Sequence, residues 1–149
     1  MDLEQKIDFE LKIREGSAKL LAACNSKNFK YQFSNSTSTH NLQILEAAKS
    51  LLASNERSNV YTAELQKRKL ERYENLKNQT MLPLGKVSLS EIRIPLMWRD
   101  SDYFKNKGDY RRFAVFCLVR IGTEILETSM VCPIDRTVTD ITFQDSLLL

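Results

Sequence analysis

The sequence has little of what metal-binding and membrane-spanning proteins need. It contains one histidine, His40, and three cysteines that form no CxxC pair. This content disfavours a structural zinc site and suits a reducing compartment. No run approaches the ~20 consecutive apolar residues of a transmembrane helix, and the first residues lack the basic and then apolar pattern of a signal peptide. We therefore expect a cytoplasmic protein that needs neither metal nor cofactor.

The residues that enzymes commonly use are also scarce. The four glycines, at positions 16, 85, 108 and 122, do not occur in GxGxxG or GxxxxGK spacing, so a glycine-rich phosphate loop is excluded. A serine or cysteine nucleophile needs a base held beside it. The single histidine lies in a segment of Ser, Thr and Asn without a nearby acid. We expect a protein that is not an enzyme.

The composition is otherwise that of a globular protein, with 149 residues, 42% hydrophobic and 28% charged. This length fits one domain, or a small helical module joined to part of a second domain. Residues 1–80 hold 13 Lys and Arg against 10 Asp and Glu, and residues 81–149 hold nine of each. Such a mild basic excess disfavours nucleic acid as a ligand and favours a protein partner.

The first 24 residues predict an amphipathic helix. From Leu3 to Cys24, apolar residues recur at steps of three, four or seven, which places them on one face. Glu10 precedes Arg14 by four residues, a spacing that predicts a surface ion pair. Gly16 costs about 1 kcal/mol relative to alanine in a helix, so we expect another backbone to approach closely there.

A second, longer helix is predicted after a polar loop. Asn25–Asn41 is rich in Ser, Thr and Asn, and Asn41 is the predicted helix cap. The helical pattern then runs from Leu42 to about Lys77, and its centre, Ser54–Asn59, is polar. Because propensity alone does not hold such a helix, we expect an antiparallel two-helix finger. The residues assigned to its seam are Ile7, Leu11, Leu21, Leu52 and Leu65.

The pattern changes from helical to extended near Met81, so we place a domain boundary there, with one domain at 1–80 and another at 84–149. Alternating residues over Lys86–Ile94 predict a strand that Pro95 confines to an end or an edge.

Further strands are predicted in the second half. Arg112–Ile121 and Glu124–Cys132 flank Gly122 as a hairpin would, and Thr137–Phe143 is another strand candidate. Together with the helices they predict an α+β protein whose second part is a partial antiparallel β-sandwich. The terminal Leu147–Leu149 is expected to form an unpaired edge, which suggests that the natural protein continues beyond it.

Two groups of charged residues in the second half are candidate ligand-binding sites. The aspartates Asp100, Asp102 and Asp109 are of the type that binds hard cations, but basic residues interleave with them, so we expect no metal. Arg111 and Arg112 lie beside aromatic residues, an arrangement that suits anionic lipid headgroups. The ordinary alternative is that they are the solvated start of a strand.

Three segments resemble known proteins. The first two are similar to the two helices of the Rho-binding region of the rhotekin family: KIDFELKIREGSAKLLAAC (Lys6–Cys24) and LEAAKSLLASNERSNVYTAELQKRK (Leu45–Lys69). The third resembles the start of the anillin-homology region found in rhotekins and anillins: LSEIRIPLMWRDSDYFKNKGDYRRFAVF (Leu89–Phe116). Together the resemblance covers nearly the whole chain.

The resemblance implies both a fold and a function. The fold is a REM-type antiparallel coiled-coil finger followed by a β-sandwich of the lipid-binding C-two kind. The function is binding of a GTP-bound Rho-family GTPase without catalysis. The stretch from about Lys27 to Asn41 departs from the family, whose helices are joined more tightly. An insertion at the tip of a hairpin leaves the paired helices intact, because the cost of loop closure grows slowly with length.

Polar and amphipathic residues that flank the predicted seam are the candidate GTPase contacts, since arginine and tyrosine are typical interface anchors. They are Lys12, Arg14, Lys19, Asn55, Arg57, Tyr61 and Glu64. Two alternatives remain open. One is an anillin-like scaffold that contacts the septin or actin cytoskeleton or anionic lipid. The other is a dimerisation module, in which the polar centre of the second helix specifies the pairing register.

Overall fold

A computed structural model of the chain describes residues 2–25, 37–74, 85–98 and 113–149. These residues form two helices and eight short strands, which confirms the predicted α+β class. The chain divides into two units, of which the first is Met1–Leu84 with Ile121–Ile125 and the second is Gly85–Arg120 with Leu126–Leu149. Neither of the described helices holds a stretch apolar and long enough to cross a membrane.

The first helix, α1, spans Leu3–Asn25, in agreement with the helix predicted from Leu3 to Cys24. Its start is fixed by reciprocal capping. The Asp2 carboxylate accepts a hydrogen bond from the Leu3 amide at 2.8 Å, and the Gln5 side chain accepts one from the Asp2 amide at 3.3 Å. These bonds satisfy amide donors that lack partners inside the first turn.

The second helix, α2, spans Thr37–Glu74 and begins earlier than predicted. The expected loop is therefore wrong over residues 37–41, and Asn41 lies inside the helix and does not cap it. Ser, Thr and Asn cost only tenths of a kcal/mol in a helix, so an adjoining stable helix extends through them. The predicted end near Lys77 lies outside the described residues, which stop at Glu74. The remainder of the predicted loop, residues 26–36, lies outside the described residues.

Both helices bury residues at intervals of seven. In α1 the row begins with Leu3 and Glu10 and ends with Cys24, while in α2 it includes Ser54 and Tyr61. Leu3 packs in one cluster with Tyr61, and the buried residues of α2 extend from there back towards its beginning. The two helices therefore run antiparallel, and their seven-residue spacing is typical of a coiled coil.

Beyond the apolar cluster around Leu3 and Tyr61, the seam includes small and polar residues that the apolar pattern does not predict. Its buried positions in α2 include Ala47, Ala53, Ser54 and Ser58. The hydroxyl of Ser54 donates to the carbonyl of Ser50 at 2.8 Å, so this fully buried group keeps a partner. The polar stretch that follows Ser54 is thus partly seam and allows the two helices to approach closely.

Several assignments to the seam are corrected by this arrangement. Ile7 and Leu65 pack against the Leu3 cluster as predicted, and Leu21 is half-buried. Leu11 and Leu52 are 37% and 54% exposed, so their assignment to the seam is wrong. They are large and apolar but lie outside the seven-residue rows.

The backbone approach expected at Gly16 is also wrong. This glycine is exposed, and a Cβ placed there meets no atom within 4 Å. The helical conformation at Gly16 thus has room for a side chain.

The strands of the described part are short, and their pairs are nested around the turn at residues 122–123. They are β1 Ser88–Leu89, β2 Arg93–Pro95, β3 Phe113–Val115, β4 Leu118–Ile121, β5 Glu124–Glu127, β6 Val131–Ile134, β7 Asp140–Thr142 and β8 Leu147–Leu148. The pairs are β1 with β8, β2 with β7, β3 with β6, and β4 with β5. The first three pairs are antiparallel.

The predicted turn at Gly122 and the predicted end of a strand at Pro95 are confirmed, but each of the two strands predicted to flank Gly122 is divided, into β3 and β4 and into β5 and β6. Gly122 has a φ of 59°, the left-handed conformation that a tight turn between β4 and β5 requires. Pro95 is the last residue of β2, where its missing amide hydrogen is tolerated. The single strand expected over Lys86–Ile94 is instead two strands, interrupted around Glu91, whose φ is 56°.

The expected unpaired edge at the end of the sequence is wrong. Leu147 is buried and pairs with Leu89 across β1 and β8. Val87 and Leu149 exchange two backbone hydrogen bonds of 2.8 Å. The terminal leucines thus complete a strand pair.

The second unit has its own apolar core. Ile134, Ile141 and Phe143 are buried together, and side chains from β2, β3 and β6 pack against them. The indole of Trp98 donates to the carbonyl of Val138 at 3.0 Å, which satisfies its polar atom where the ring is half-buried. On the surface, the Arg93 guanidinium donates twice to Asp140, at 3.1 and 2.7 Å.

Candidate functional site

The candidate lysines of α1 share its outward face. Lys12 and Lys19 lie seven residues apart, and both are well exposed. Each ammonium pairs with the acid four residues earlier, Asp8 and Glu15 respectively, at 2.6 Å. The Lys19 ammonium lowers the pKa of Glu15 through a hydrogen bond and its charge. The result is a solvated row of alternating charges.

Arg14 does not lie on that face. It follows Lys12 by two residues, or about 200° around the helix, and it is exposed. Glu10, the acid expected to pair with Arg14 on the surface, is instead buried in the seam. The prediction of a Glu10–Arg14 surface pair is therefore wrong, because Glu10 occupies one of the seven-residue seam positions.

Three candidates of α2 lie on one helical face, since Arg57, Tyr61 and Glu64 are separated by four and three residues. The Arg57 guanidinium donates to the carbonyl of Ile125 at 3.4 Å, within the first unit. The Glu64 carboxylate accepts from Arg68 at 2.8 Å. Both charged side chains are therefore engaged within the chain.

Tyr61 is part of the core of the first unit. It is 9% exposed and packs with Leu3, Val60 and Ile125. The Lys6 ammonium lies 5.4 Å from the centre of its ring, within the range of a cation–π interaction. Burial raises the pKa of the Tyr61 hydroxyl, and nearby carboxylates raise it further. A side chain in this position stabilises the finger and offers little surface to a partner.

The seven candidates therefore do not form one continuous surface. Asn55 is half-buried and lies two residues before Arg57, on another side of α2. The structure groups Lys12 with Lys19, and Arg57 with Tyr61 and Glu64. It leaves Arg14 and Asn55 outside both groups.

Sequence reasoning missed the exposed apolar residues of the finger. They are Phe9, Leu11, Leu20, Leu42, Leu45, Leu52 and Leu70. The seven-residue interval between Leu45 and Leu52 was the available signal. The assignment of Leu52 to the seam with α1 conceals this interval.

All five candidates of the second half lie outside the described residues, namely Arg111, Arg112, Asp100, Asp102 and Asp109. Within the described part, no group of His, Cys, Asp or Glu is arranged to hold a metal ion.

One apolar side chain of the second half is unusually exposed. Met97, at the end of the segment that contains β2, is 96% exposed.

Comparison with known proteins gives matches across both halves. The family described as "Cell division protein anillin" matches residues 83–149. Rhotekin of Mus musculus is 43% identical over 157 residues, which cover 99% of this chain and 25% of the relative. Rhotekin-2 of Mus musculus is 42% identical, covering 96% of this chain and 23% of the relative. Rhotekin-2 of Danio rerio is 40% identical, with 96% and 20% covered. The chain spans about a quarter of the length of the curated relatives it matches.

Proposed function

The chain is a homologue of rhotekins along almost its entire length, and on this basis we propose that it is part of a non-enzymatic effector. Its finger binds the GTP-bound form of a Rho-family small GTPase. The observation that carries the proposal is the antiparallel helix pair of α1 and α2 in the segment that resembles the Rho-binding region. We assign residues 1–80 to a REM-type finger and residues 84–149 to the anillin-homology region.

Nucleotide selectivity in this proposal is conformational. The γ-phosphate of GTP orders the switch loops of a small GTPase, and hydrolysis releases them. A rigid helical face that fits only the ordered loops therefore distinguishes the two nucleotide states without touching the nucleotide. The coiled-coil seam supplies the rigidity, because it holds α1 at a fixed position against α2.

We propose that α1 supplies the main polar contacts, through Lys12 and Lys19. Their ion pairs with Asp8 and Glu15 are solvent-exposed, and exposed pairs of this spacing are worth only about 0.3–0.5 kcal/mol. Breaking them to meet carboxylates of a partner is therefore cheap. Arg14 and Asn55 are proposed as secondary contacts at the edges of the finger.

The candidate residues of α2 are less available to a partner than those of α1. Arg57 and Glu64 already bond within the chain, so their use by a partner requires rearrangement. Tyr61 is assigned to the core on account of its burial, and we leave it out of the contact set.

The test is a pull-down of the chain with a Rho-family GTPase loaded with a GTP analogue. The double variant Lys12→Glu, Lys19→Glu is expected to reduce retention strongly, because it replaces two attractive charges with repulsive ones. The matched control is Lys67→Glu, Lys69→Glu, which reverses two exposed lysines on α2. If both double variants lose retention equally, the loss is an effect of net charge, and this result would contradict specific contacts at α1. No retention of the parent chain would refute the proposed function.

A second candidate function, contact of the second unit with anionic membranes, is favoured by Met97. The Met97 side chain is 96% exposed and suits insertion among lipid headgroups, and Arg111 and Arg112, which follow 14 and 15 residues later in the sequence, suit binding of the anionic headgroups. The test is sedimentation with phosphatidylserine vesicles. The variant Met97→Asp and the variant Arg111→Ala, Arg112→Ala should each lower the bound fraction. Unchanged sedimentation of both would exclude this candidate.

A further inference from the structure

The outward side of α2 carries a second seven-residue pattern, separate from the seam with α1. One row contains Leu42, Lys49, Glu56, Ala63 and Leu70, and the other contains Leu45, Leu52, Asn59 and Gln66. Leu45 and Leu52 each precede a buried seam residue by two positions, or about 200° around the helix. The pattern therefore lies on the side facing away from α1. It extends over about four heptads, a length typical of coiled coils.

This outer face is open in the single chain. Leu45, Leu52 and Leu70 are 36%, 54% and 66% exposed. Ala63, Glu56, Asn59 and Gln66 are exposed as well. Lys49 is the exception, since it is largely buried within its own chain. Leucines at regular helical intervals on an exposed face are typical of a helix that packs against another helix.

The intervals between successive residues of the outer face are the same when α2 is followed from either end. From Leu45 to Leu70 the steps alternate as four, three, four, three, four, three and four residues. A second copy that runs antiparallel therefore presents positions at matching heights. Such a palindromic pattern suits a two-fold symmetric pair, in which one surface serves both partners.

The side chains also match in that antiparallel register. Leu45 faces Leu70 of the second copy, and Leu52 faces Ala63, so apolar meets apolar. Glu56 faces Asn59, whose amide can donate to the carboxylate, while Lys49 is buried within its own chain and takes no part in the interface. In a parallel pair, each Glu56 would instead face the Glu56 of the other copy, and this repulsion is destabilising.

We propose that the outer face of α2 is the interface of an antiparallel homodimer of this chain. We infer that a second copy binds this face, because the antiparallel register that aligns the rows of the two copies also places apolar side chains against apolar ones and polar side chains against polar ones. The polar central layers disfavour sliding to a neighbouring register, since a shift would set leucines against charges. The interface lies opposite α1, so it is separate from the main proposed GTPase contacts, Lys12 and Lys19, although Asn55 lies beside it.

The test is sedimentation velocity of the full chain over a wide concentration range. We expect a monomer–dimer equilibrium, with Leu52→Glu raising the dissociation constant by at least about tenfold, because the symmetric dimer contains this layer twice. Leu45→Glu is a second variant with the same expectation. The matched control is Leu20→Glu, at an exposed leucine of α1, which should leave the equilibrium unchanged. Circular dichroism checks that helix content is retained.

A strictly monomeric chain at all concentrations would overturn the proposal. So would a dimer that Leu52→Glu and Leu45→Glu leave intact. If the chain is monomeric and Leu52→Glu instead weakens GTPase binding, the outer face is a partner site and the homodimer is wrong.

The register is tested by disulfide trapping. Copies carrying Glu56→Cys are mixed with copies carrying Asn59→Cys, with the three native cysteines changed to alanine. The antiparallel dimer predicts mainly mixed disulfides between the two variants. Mainly like-with-like disulfides would indicate a parallel pair and would overturn the register argued here.

Discussion

Replacing Tyr61 with alanine should destabilise the helical finger, because this side chain is buried in its core and not part of its exposed surface. The ring is 9% exposed, packs with Leu3, Val60 and Ile125, and lies under the Lys6 ammonium. Truncating a buried aromatic side chain to alanine costs about 3–5 kcal/mol. We expect the lower end of that range, about 3 kcal/mol, because the ring lies at one end of the seam where neighbours can relax.

The assay is denaturant unfolding followed by circular dichroism at the helical band, which reports mainly on α1 and α2. Tyr61→Ala should lower the free energy of unfolding by the stated amount and reduce Tm by about 6–12 °C. Tyr61→Phe keeps the ring and should stay within about 1 kcal/mol of the parent. Leu20→Ala, at an exposed position, should change stability by less than about 0.5 kcal/mol.

The opposite pattern would refute the core assignment. If Tyr61→Ala unfolds like the parent but loses GTPase binding, then Tyr61 is a contact residue and its packing contributes little. The same experiment therefore separates a structural from a binding role for this side chain.

Further predictions concern the rest of the described chain. Phe143→Ala, at the centre of the second core, should destabilise that unit by about 3–5 kcal/mol in tryptophan-fluorescence unfolding. Gly16→Ala should stabilise α1 by about 0.5–1 kcal/mol, since the added Cβ meets no atom within 4 Å, and a fall in Tm would contradict this. The Arg93 guanidinium lowers the pKa of Asp140 through hydrogen bonds. That contribution to stability is therefore present above about pH 4 and is lost as the pH falls through the lowered pKa. In Arg93→Ala, NMR titration should find the pKa of Asp140 nearer its ordinary value.

The elements that sequence patterns predicted well are those with strong local signals. The first helix begins at Leu3 because its capping residues and its periodicity agree, and both are visible in the sequence. The turn at Gly122 was equally clear, since a glycine between two alternating segments is a local hairpin signal. In each case the information lies within a few residues of the feature.

The seam of the finger was predicted poorly because its burial does not follow hydrophobicity. Glu10 and Ser58 occupy buried positions, whereas Leu52 is exposed. A prediction that assigns leucines to the core therefore places the wrong face of α2 against α1. The seven-residue interval was the better guide, because it depends on helix geometry and is indifferent to side-chain polarity.

Errors near the segment ends have a different cause. Whether Thr37–Asn41 is helical depends on small propensity differences that an adjoining helix overrides. The pairing of Leu147 with Leu89 joins residues far apart in sequence, so no local pattern reveals it. The candidate binding residues were chosen as polar groups beside a misplaced seam, and they are consequently spread over several faces.

The most direct test of the proposed function is the affinity of the full chain for a Rho-family GTPase in its two nucleotide states, measured by titration calorimetry. We expect saturable binding to the GTP-analogue-loaded form. Binding to the GDP-loaded form should be weaker by at least about tenfold, or 1.4 kcal/mol. Equal affinity for the two forms, or no binding to either, would contradict it.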